Sequence, residues 1–167
     1  MKNEFFERPD GSIGIVLCGG KIAIIDPESL PLVLPYPLWG PRQAHGLCYC
    51  GAYESGKNVK MHHLVVHPVL GMEIDHANRD GLDNRRGNLR LCTRAQNMAN
   101  RRFPVHSSIY KGVSWSRTAK RWRANIGATG HRQHIGYFSA EADAALAYND
   151  AALSIWGKFA RCNIVSA

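Results

Sequence analysis

Between Gly71 and Arg102 the stretch GMEIDHANRDGLDNRRGNLRLCTRAQNMANRR places a carboxylate, an imidazole and several amide side chains around one short helix signal. These are side chains from which proton-transfer sites and hard-cation sites are built. Asp75 and His76 are adjacent, Asn88 follows twelve residues after the histidine, and Asn97 twenty-one after it. Taken singly, each carries little. A strand end, a turn-rich loop and the start of a helix would bring all four together, so the flanking elements decide whether they form a site.

Those elements are legible. Met72-Glu73-Ile74 alternates apolar and polar and reads as a short strand delivering Asp75 and His76 to its end. Asn78, Asp80, Gly81, Asp83, Asn84, Gly87 and Asn88 then crowd together, the composition of a compact surface loop with local side-chain to backbone hydrogen bonds. Thr93 with Gln96 three residues on is a capping box, and Pro104 bounds the far end. The spacing predicts a helix over 94–102 with Asn97 in its first turn.

At 167 residues the chain is one domain or two small ones, and the short strand and helix signals favour small modules with thin cores. No apolar run approaches the roughly 20 residues of a membrane span, and MKNEFFERPDG lacks the apolar stretch of a signal peptide. Cys18, Cys48, Cys50, Cys92 and Cys162 form an odd, scattered set, which argues against a secreted disulfide framework. A soluble, cytoplasmic protein with free thiols is expected. The net charge of +8 is unevenly spread: between Asp83 and Glu141 there is no acidic residue and there are twelve basic ones. That arrangement predicts attraction to a polyanion, with nucleic acid as the leading candidate, and the alternative is a solvated basic surface. An amphipathic membrane-binding helix fits poorly, because the charges interleave with strand-like residues.

Residues 1–58 read as an irregular β-rich region. Ser12 to Leu17, Lys21 to Ile25 and Leu32 to Leu34 are short apolar runs punctuated by Gly19-Gly20, Pro27, Pro31, Pro35 and Pro37. Gly46 to Tyr53 is a further strand with Cys48 and Cys50 on one face. His45, Cys48 and Cys50 could ligate zinc, but structural zinc takes four ligands, so no structural zinc is expected; the alternative is small thiols packed in a strand. Val59 to Val66 reads as a strand or helix ended by His67-Pro68, with His62 and His63 either ligands or packed histidines. Phe103 to Ile109 is a short linker. From Tyr110 the runs YKGVSWS, RWRANIG and HRQHIGYF alternate aromatic or β-branched residues with basic or polar ones, with turns at Arg117 to Lys120 and Ala128 to Gly130. Ser139 caps the Ala-rich helix that follows, and Gly157 stops it. The expected fold is α+β: a three-stranded antiparallel sheet with a cationic face, packed on one helix, behind a separate site-bearing module. Trp115 and Trp122 are either core or sugar contacts.

Two resemblances join these readings. Asp75-His76, Asn88 and Asn97, with MHHLVVHP upstream and NLRLCTRAQNMANRR downstream, resemble the HNH endonuclease motif in the phage and intron-encoded branch whose third position is asparagine. The likeness spans roughly residues 20–102 and is specific from 59 onward. It implies a ββα-metal nuclease core over 59–102, a linker over 103–109, and hydrolysis of a phosphodiester to 5′-phosphate and 3′-hydroxyl ends. His76 is implied as the general base, Asn88 as the group orienting its ring, and Asp75 and Asn97 as oxygen ligands for one divalent cation, Mg²⁺ or Mn²⁺. His63 stands where that branch usually has arginine, and the CxxC pairs of zinc-stapled relatives are absent. Residues 110–165, through YKGVSW, RWRANI, HIGYFSAEADAALAYNDAAL and GKFARCNI, resemble the ethylene-response-factor (APETALA-type) DNA-binding domain. That resemblance implies double-stranded DNA binding by the sheet, with Lys111, Arg117, Lys120, Arg121, Arg123, Arg132 and His134 as contacts and Asn125 able to pair with adenine. Ser114, Asn125, Gly127 and His134 stand where relatives often have Arg, Glu, Arg and Trp. Phage homing nucleases combine these two domains; the rival readings are a noncatalytic DNA-binding regulator with a decayed HNH site and a phage packaging or recombination nuclease.

Overall fold

Short apolar runs separated by glycine and proline cannot build long elements, and the chain folds as several small antiparallel sheets with few helices. The computed structural model describes residues 2–44, 46–101, 107–128 and 131–165. Two compact units are formed, Met1–Thr93 and Arg94–Ala167.

In the first unit β1 (Phe5–Glu7), β2 (Ile13–Val16) and β3 (Ile22–Ile25) form one antiparallel sheet, and β4 (Trp39–Ala44), β5 (Leu47–Glu54) and β6 (Lys57–Lys60) form another. Helix α1 (Leu30–Val33) lies between the two sheets in sequence. Ile15, Ile25, Val33, Trp39 and Met61, each fully buried, make the core these elements share. Asn3 stitches β2 to β4: its amide nitrogen donates to Val16 O at 2.8 Å and to Trp39 O at 3.0 Å, and its oxygen accepts the Trp39 N–H at 2.6 Å. The buried Trp39 indole satisfies its own donor on Val33 O at 3.1 Å. Helix α2 (Met61–Val65) follows β6, and β7 (Glu73–His76) pairs antiparallel with β8 (Leu89–Cys92).

The reading of Leu32 to Leu34 as β-structure is corrected, since these residues enter or follow α1. Pro31 is in the first turn, where a missing N–H costs nothing, so it starts the helix instead of breaking it. Phe5–Glu7 and Trp39–Ala44 are strands that the composition does not announce. Cys50 is fully buried and burial pushes its thiol pKa up to about 12, the behaviour of a small apolar group. His45, the third member of the candidate zinc cluster, lies outside the described residues.

In the second unit helix α3 (Arg94–Asn100) starts where the Thr93 signal puts it and is shorter than 94–102; Arg102, Pro104 and the rest of residues 102–106 lie outside the described residues. Strands β9 (Val113–Ser116), β10 (Arg121–Ala128) and β11 (His131–Phe138) form an antiparallel sheet in the order β11-β10-β9. The turn over 117–120 is present, with Lys120 in the left-handed region at φ 49°; residues 129 and 130 of the next turn lie outside the described residues. Helix α4 (Glu141–Trp156) packs on the sheet through Ala144, Ala145, Tyr148 and Ala152, all buried, because small side chains let helix and sheet backbones approach. Gly112 is required there: its φ is +79°, and a Cβ would strike the Tyr148 ring and come within 2.6 Å of Asn125 O. The expected Ser139 cap is corrected. Ala140 is the N-cap with no side-chain bond, and Glu141 and Asp143 in the first turn interact favourably with the helix dipole instead. Gly157 ends the helix at φ 51°, as its place in the sequence signals.

The C-terminal segment is clasped by Asn163. Its side chain accepts the Lys111 N–H at 2.6 Å and donates to Lys111 O at 3.1 Å, while Asn149 bonds the Asn163 backbone through both its oxygen and its nitrogen at 2.7 and 2.9 Å. Replacing Asn163 by alanine strands two backbone groups of Lys111 and should lower unfolding free energy by about 1–3 kcal/mol in urea titrations of the full chain. Asn163→Asp, which keeps the acceptor and loses the donor, should fall between the two.

Candidate active site and nucleic-acid interface

The β7–β8 hairpin sets Asp75 opposite Arg90 and His76 opposite Leu89. Arg90 donates through Nε and Nη2 to the same Asp75 oxygen, Oδ2, at 2.9 and 2.7 Å. Its side chain is 17% exposed. Counted with the other cations by composition, Arg90 is largely committed to Asp75 instead of a polyanion.

The loop between the strands is tied internally and to the N-terminal sheet. Asn78 Oδ1 accepts the Asp80 N–H at 2.9 Å, Asp80 Oδ1 the Leu82 N–H at 3.0 Å, and Asp83 Oδ1 the Arg85 N–H at 3.3 Å. These are the local Asx bonds that the residue types call for. Asn88 closes the neck: its oxygen accepts the Asn78 N–H at 3.0 Å, its amide donates to Asp83 O at 2.7 Å, and its carbonyl takes the Ala77 N–H at 2.9 Å, one residue from His76. The loop is not wholly a surface feature. Asp83 and Asn84 are buried, and Ile24 of β3 bonds to Leu82 O and from Asn84 N at 2.8 and 2.7 Å. Asn84 donates its amide to Leu82 O at 2.9 Å, and its Oδ1 lies 3.5 Å from His76 Nε2. The tautomer that makes this contact carries its proton on Nε2.

His76 is 5% exposed and is surrounded by rings. His62 of α2 stands edge-on to it at 5.0 Å between centroids, Tyr49 of β5 is at 5.6 Å, and His63 packs on His62 at 4.7 Å. His62 is equally buried, and its Nδ1 has no hydrogen-bond partner. Burial lowers the His76 pKa, against the raising influence of the Asn84 contact and of Asp75, Asp80 and Asp83. Burial, reinforced by His76, His63 and Lys60, pushes His62 down to about 3. Both imidazoles are therefore neutral at physiological pH, which leaves His76 with a basic nitrogen. Asn84 and Tyr49 are residues that the spacing does not single out: Asn84 reads as one more turn residue, and the ring contacts join segments that no short-range pattern connects; His62, open between ligand and packed histidine in the sequence, is buried against the His76 ring. Asn97 is on α3, half-buried, in the second unit.

In the second unit the sheet has two unlike faces. Val113, Trp122, Ala124, Ile126 and Phe138 pack toward α4, and the opposite side of β10 carries Arg121, Arg123 and Asn125. Trp115 pairs with Trp122 across the strands at 5.2 Å; Trp122 packs against the core under α4, whereas Trp115 is exposed. A bulge on β11 opposite Ala124 and Asn125 shifts the alternation by one residue. Tyr137 and His134 thereby share one face, with Ile135 turned to the core; strict alternation from Tyr137 would have exposed Ile135 and turned His134 inward. His134 Nδ1 lies 3.4 Å from Asn125 Oδ1, and Arg123 reaches Ser114 Oγ at 3.4 Å while its Nε is buried without a partner. Arg132 faces the same way opposite Gly127; Arg117 and Lys120 are exposed in the β9–β10 turn. Lys111 is placed differently: its ammonium donates to Ala99 O and Arg101 O at the end of α3. A groove of about 830 Å³ is lined by Arg94 of α3 and by Lys111, Ser114, Asn125 and Arg132.

Charge divides by unit. Residues 1–93 carry ten Lys and Arg against ten Asp and Glu, whereas residues 94–167 carry eleven against three, so the whole excess of +8 belongs to the second unit.

The buried histidines make the first unit acid-labile. A folded-state pKa of about 3 against 6.5 for the free side chain means that the His62 contribution is complete above pH 6.5 and is lost as pH falls toward 3. By about pH 5 His62 alone should cost about 2 kcal/mol, with His63 and His76 acting in the same direction. Thermal melts across this range should show the loss, and His62→Phe should flatten it.

The site can hold a neutral imidazole beside a carboxylate at a strand end, and the second unit presents cations and amides on a sheet. No curated protein and no solved structure gives a significant match to the chain. The family model described as HNH endonuclease matches residues 59–99, from the end of β6 through most of α3, and over that stretch the chain carries an HNH endonuclease module.

Proposed function

We propose that the protein is a metal-dependent DNA endonuclease of the homing type, in which His76 is the general base and residues 110–165 are an ethylene-response-factor-type module that binds double-stranded DNA. The observation that carries the reading is the buried, neutral imidazole of His76 beside Asp75, at a strand end inside the segment that matches HNH endonucleases. A neutral imidazole can take a proton from water at working pH, an effect worth about 10²–10⁴-fold. As the proton moves to His76, the water oxygen attacks phosphorus, the P–O3′ bond breaks and the leaving O3′ takes a proton from solvent water, giving 5′-phosphate and 3′-hydroxyl ends. Asn88 orients the base indirectly, by pinning the backbone next to it.

The donor chemistry suits a hard cation. Asp75 offers a carboxylate, and among the described residues no three His, Cys, Asp or Glu side chains stand in metal-binding geometry, so such an ion would be held by few protein oxygens and by water. We assign Asp75 as a protein ligand of that ion; for Asn97, which belongs to the other unit, the HNH resemblance alone implies a ligand role. What bound Mg²⁺ or Mn²⁺ supplies is stabilisation of negative charge on the scissile phosphate and the leaving 3′ oxygen.

DNA recruitment is assigned to the cationic unit. Arg121, Arg123, Asn125, Arg132 and His134 share the sheet face away from α4, Arg117 and Lys120 flank it, and Lys111 supports it from the end of α3.

Supercoiled plasmid carrying a selected binding site should be cut in Mg²⁺ or Mn²⁺, and His76→Ala should slow cutting by at least about 10²-fold without weakening binding. Binding without any nicking would leave the noncatalytic regulator as the reading. Arg123→Ala should weaken DNA binding and reduce the slope of log K against log salt by about 0.9 for each phosphate that the guanidinium neutralises, measured by fluorescence anisotropy. An unchanged slope would place Arg123 away from the phosphates.

A further inference from the structure

The ring of His76 is not held by the HNH-matching segment alone. Tyr49 comes from β5, ahead of that segment, and its ring centroid is 5.6 Å from His76 and 5.9 Å from His62. His62 completes a triangle of rings, 5.0 Å from His76 at an interplanar angle of 83°. The angles at Tyr49 are 56° and 59°, so all three contacts are tilted or edge-on, the arrangement that ring quadrupoles favour. Tyr49 is also closed in by Gly81. A Cβ at that position would meet Tyr49 Cδ1 at 2.6 Å and strike the Cys48 carbonyl oxygen, so the loop backbone lies directly against the tyrosine.

The torsion that turns an imidazole about its Cβ–Cγ bond is broad and has no sharp intrinsic minimum. The approach of the ring to Asn84 Oδ1, at 3.5 Å, is at the outer limit for a hydrogen bond, and the ring contacts with Tyr49 and His62 act beside it on the ring angle. We propose that Tyr49, with His62, is a positioning residue for His76: the N-terminal β-region supplies a wall of the active site that the HNH-matching segment does not contain. The proposal rests on the nuclease reading above. Tyr49 touches no reacting atom; it limits the directions in which the His76 lone pair can point. An error of about 1 Å in such placement is enough to cost about 10²-fold in rate.

The test uses the full chain. Tyr49→Phe keeps the ring, Tyr49→Leu keeps the apolar volume and removes the ring, and Gly81→Ala keeps the ring but displaces it. For each, kcat and KM are measured on supercoiled plasmid with Mg²⁺, together with the His76 Hε1 proton resonance in the absence of DNA. Tyr49→Phe, which keeps the ring, should lower kcat less than Tyr49→Leu. Tyr49→Leu and Gly81→Ala should lower kcat by about 10–100-fold at unchanged KM. Tyr49→Leu should also move the Hε1 resonance, because the ring current of the neighbouring tyrosine is removed. A Tyr49→Leu protein with the wild-type kcat, or with an unmoved Hε1 resonance, overturns the proposal while leaving the nuclease reading intact. If Tyr49→Leu does not fold, Gly81→Ala decides by the same kinetic criterion. A wild-type protein that cuts no DNA overturns the nuclease reading, and the resonance then decides the positioning on its own.

Discussion

Two backbone hydrogen bonds at Ile24 hold the loop that follows His76. The Ile24 N–H donates to Leu82 O at 2.8 Å and its carbonyl accepts the Asn84 N–H at 2.7 Å, forming a one-residue parallel bridge with Asp83. The loop it holds has no ladder of its own, and fixing each residue costs about 1–2 kcal/mol of backbone entropy. Asx bonds meet part of that cost, and the bridge to β3 gives the loop a fixed reference. Asn84 reaches the His76 ring because its backbone is pinned there, and Asp83 anchors Asn78, Asn88 and Arg85 from the same point. Asp26, two residues after Ile24, receives the Arg86 N–H at 2.5 Å and extends the attachment. The N-terminal β-region is thus part of the machinery of the loop, because a hairpin of two four-residue strands could not order it alone.

The division of charge sets how such a protein would meet DNA. Residues 1–93 are balanced and exert no net long-range pull, whereas the second unit concentrates eleven cations over three anions. Much of the cationic charge near His76 is already opposed: Arg90 by Asp75, and Arg85 by Asp83 at 2.8 Å. On the nuclease reading, the catalytic unit gains its substrate through the other unit, and the attraction is screened by salt over about 10 Å. With ten cations against ten anions, residues 1–93 have little electrostatic hold of their own on a polyanion.

What is legible in the sequence are features with short periods. The alternation in YKGVSWS, RWRANIG and HRQHIGYF locates all three strands of the second sheet, the crowded Asn, Asp and Gly residues locate the loop, and Thr93 locates the start of α3. Asp75 and His76 stand at the end of their strand as the alternation before them implies. The residues that escape such patterns depend on longer relations. Arg90 meets Asp75 only through the hairpin register, Tyr49 meets His76 only through the packing of β5 against the loop, and the bulge at Ile135, beside Gly136, is a single-residue change of phase that the alternation does not reveal. Leu30–Val33 misleads for a different reason. Proline in an apolar run signals a break, and nothing local shows that Pro31 falls in a first turn. Lys111 reads as an exposed cation until its carbonyl partners at the end of α3 are known.

His76 sits among three carboxylates, Asp75, Asp80 and Asp83, each of which favours its charged form. Left to themselves they would work against a base, since a protonated imidazole has no lone pair to offer. Burial wins nonetheless, and the two arginine–aspartate pairs show how. Burial raises the Asp83 pKa, but the Arg85 hydrogen bonds and charge outweigh it and hold the carboxyl below its usual range; the same guanidinium then stands against the field of that carboxylate. Arg90 bonds Asp75 through a single shared oxygen, and its charge opposes the field of that carboxylate. Each arginine reduces the negative potential that reaches the ring. Removing either would leave a less compensated carboxylate beside a buried imidazole, and His76 would gain a proton more easily. The two pairs therefore do more than close a loop: they let an imidazole remain neutral next to the acidic residue with which it is paired in sequence.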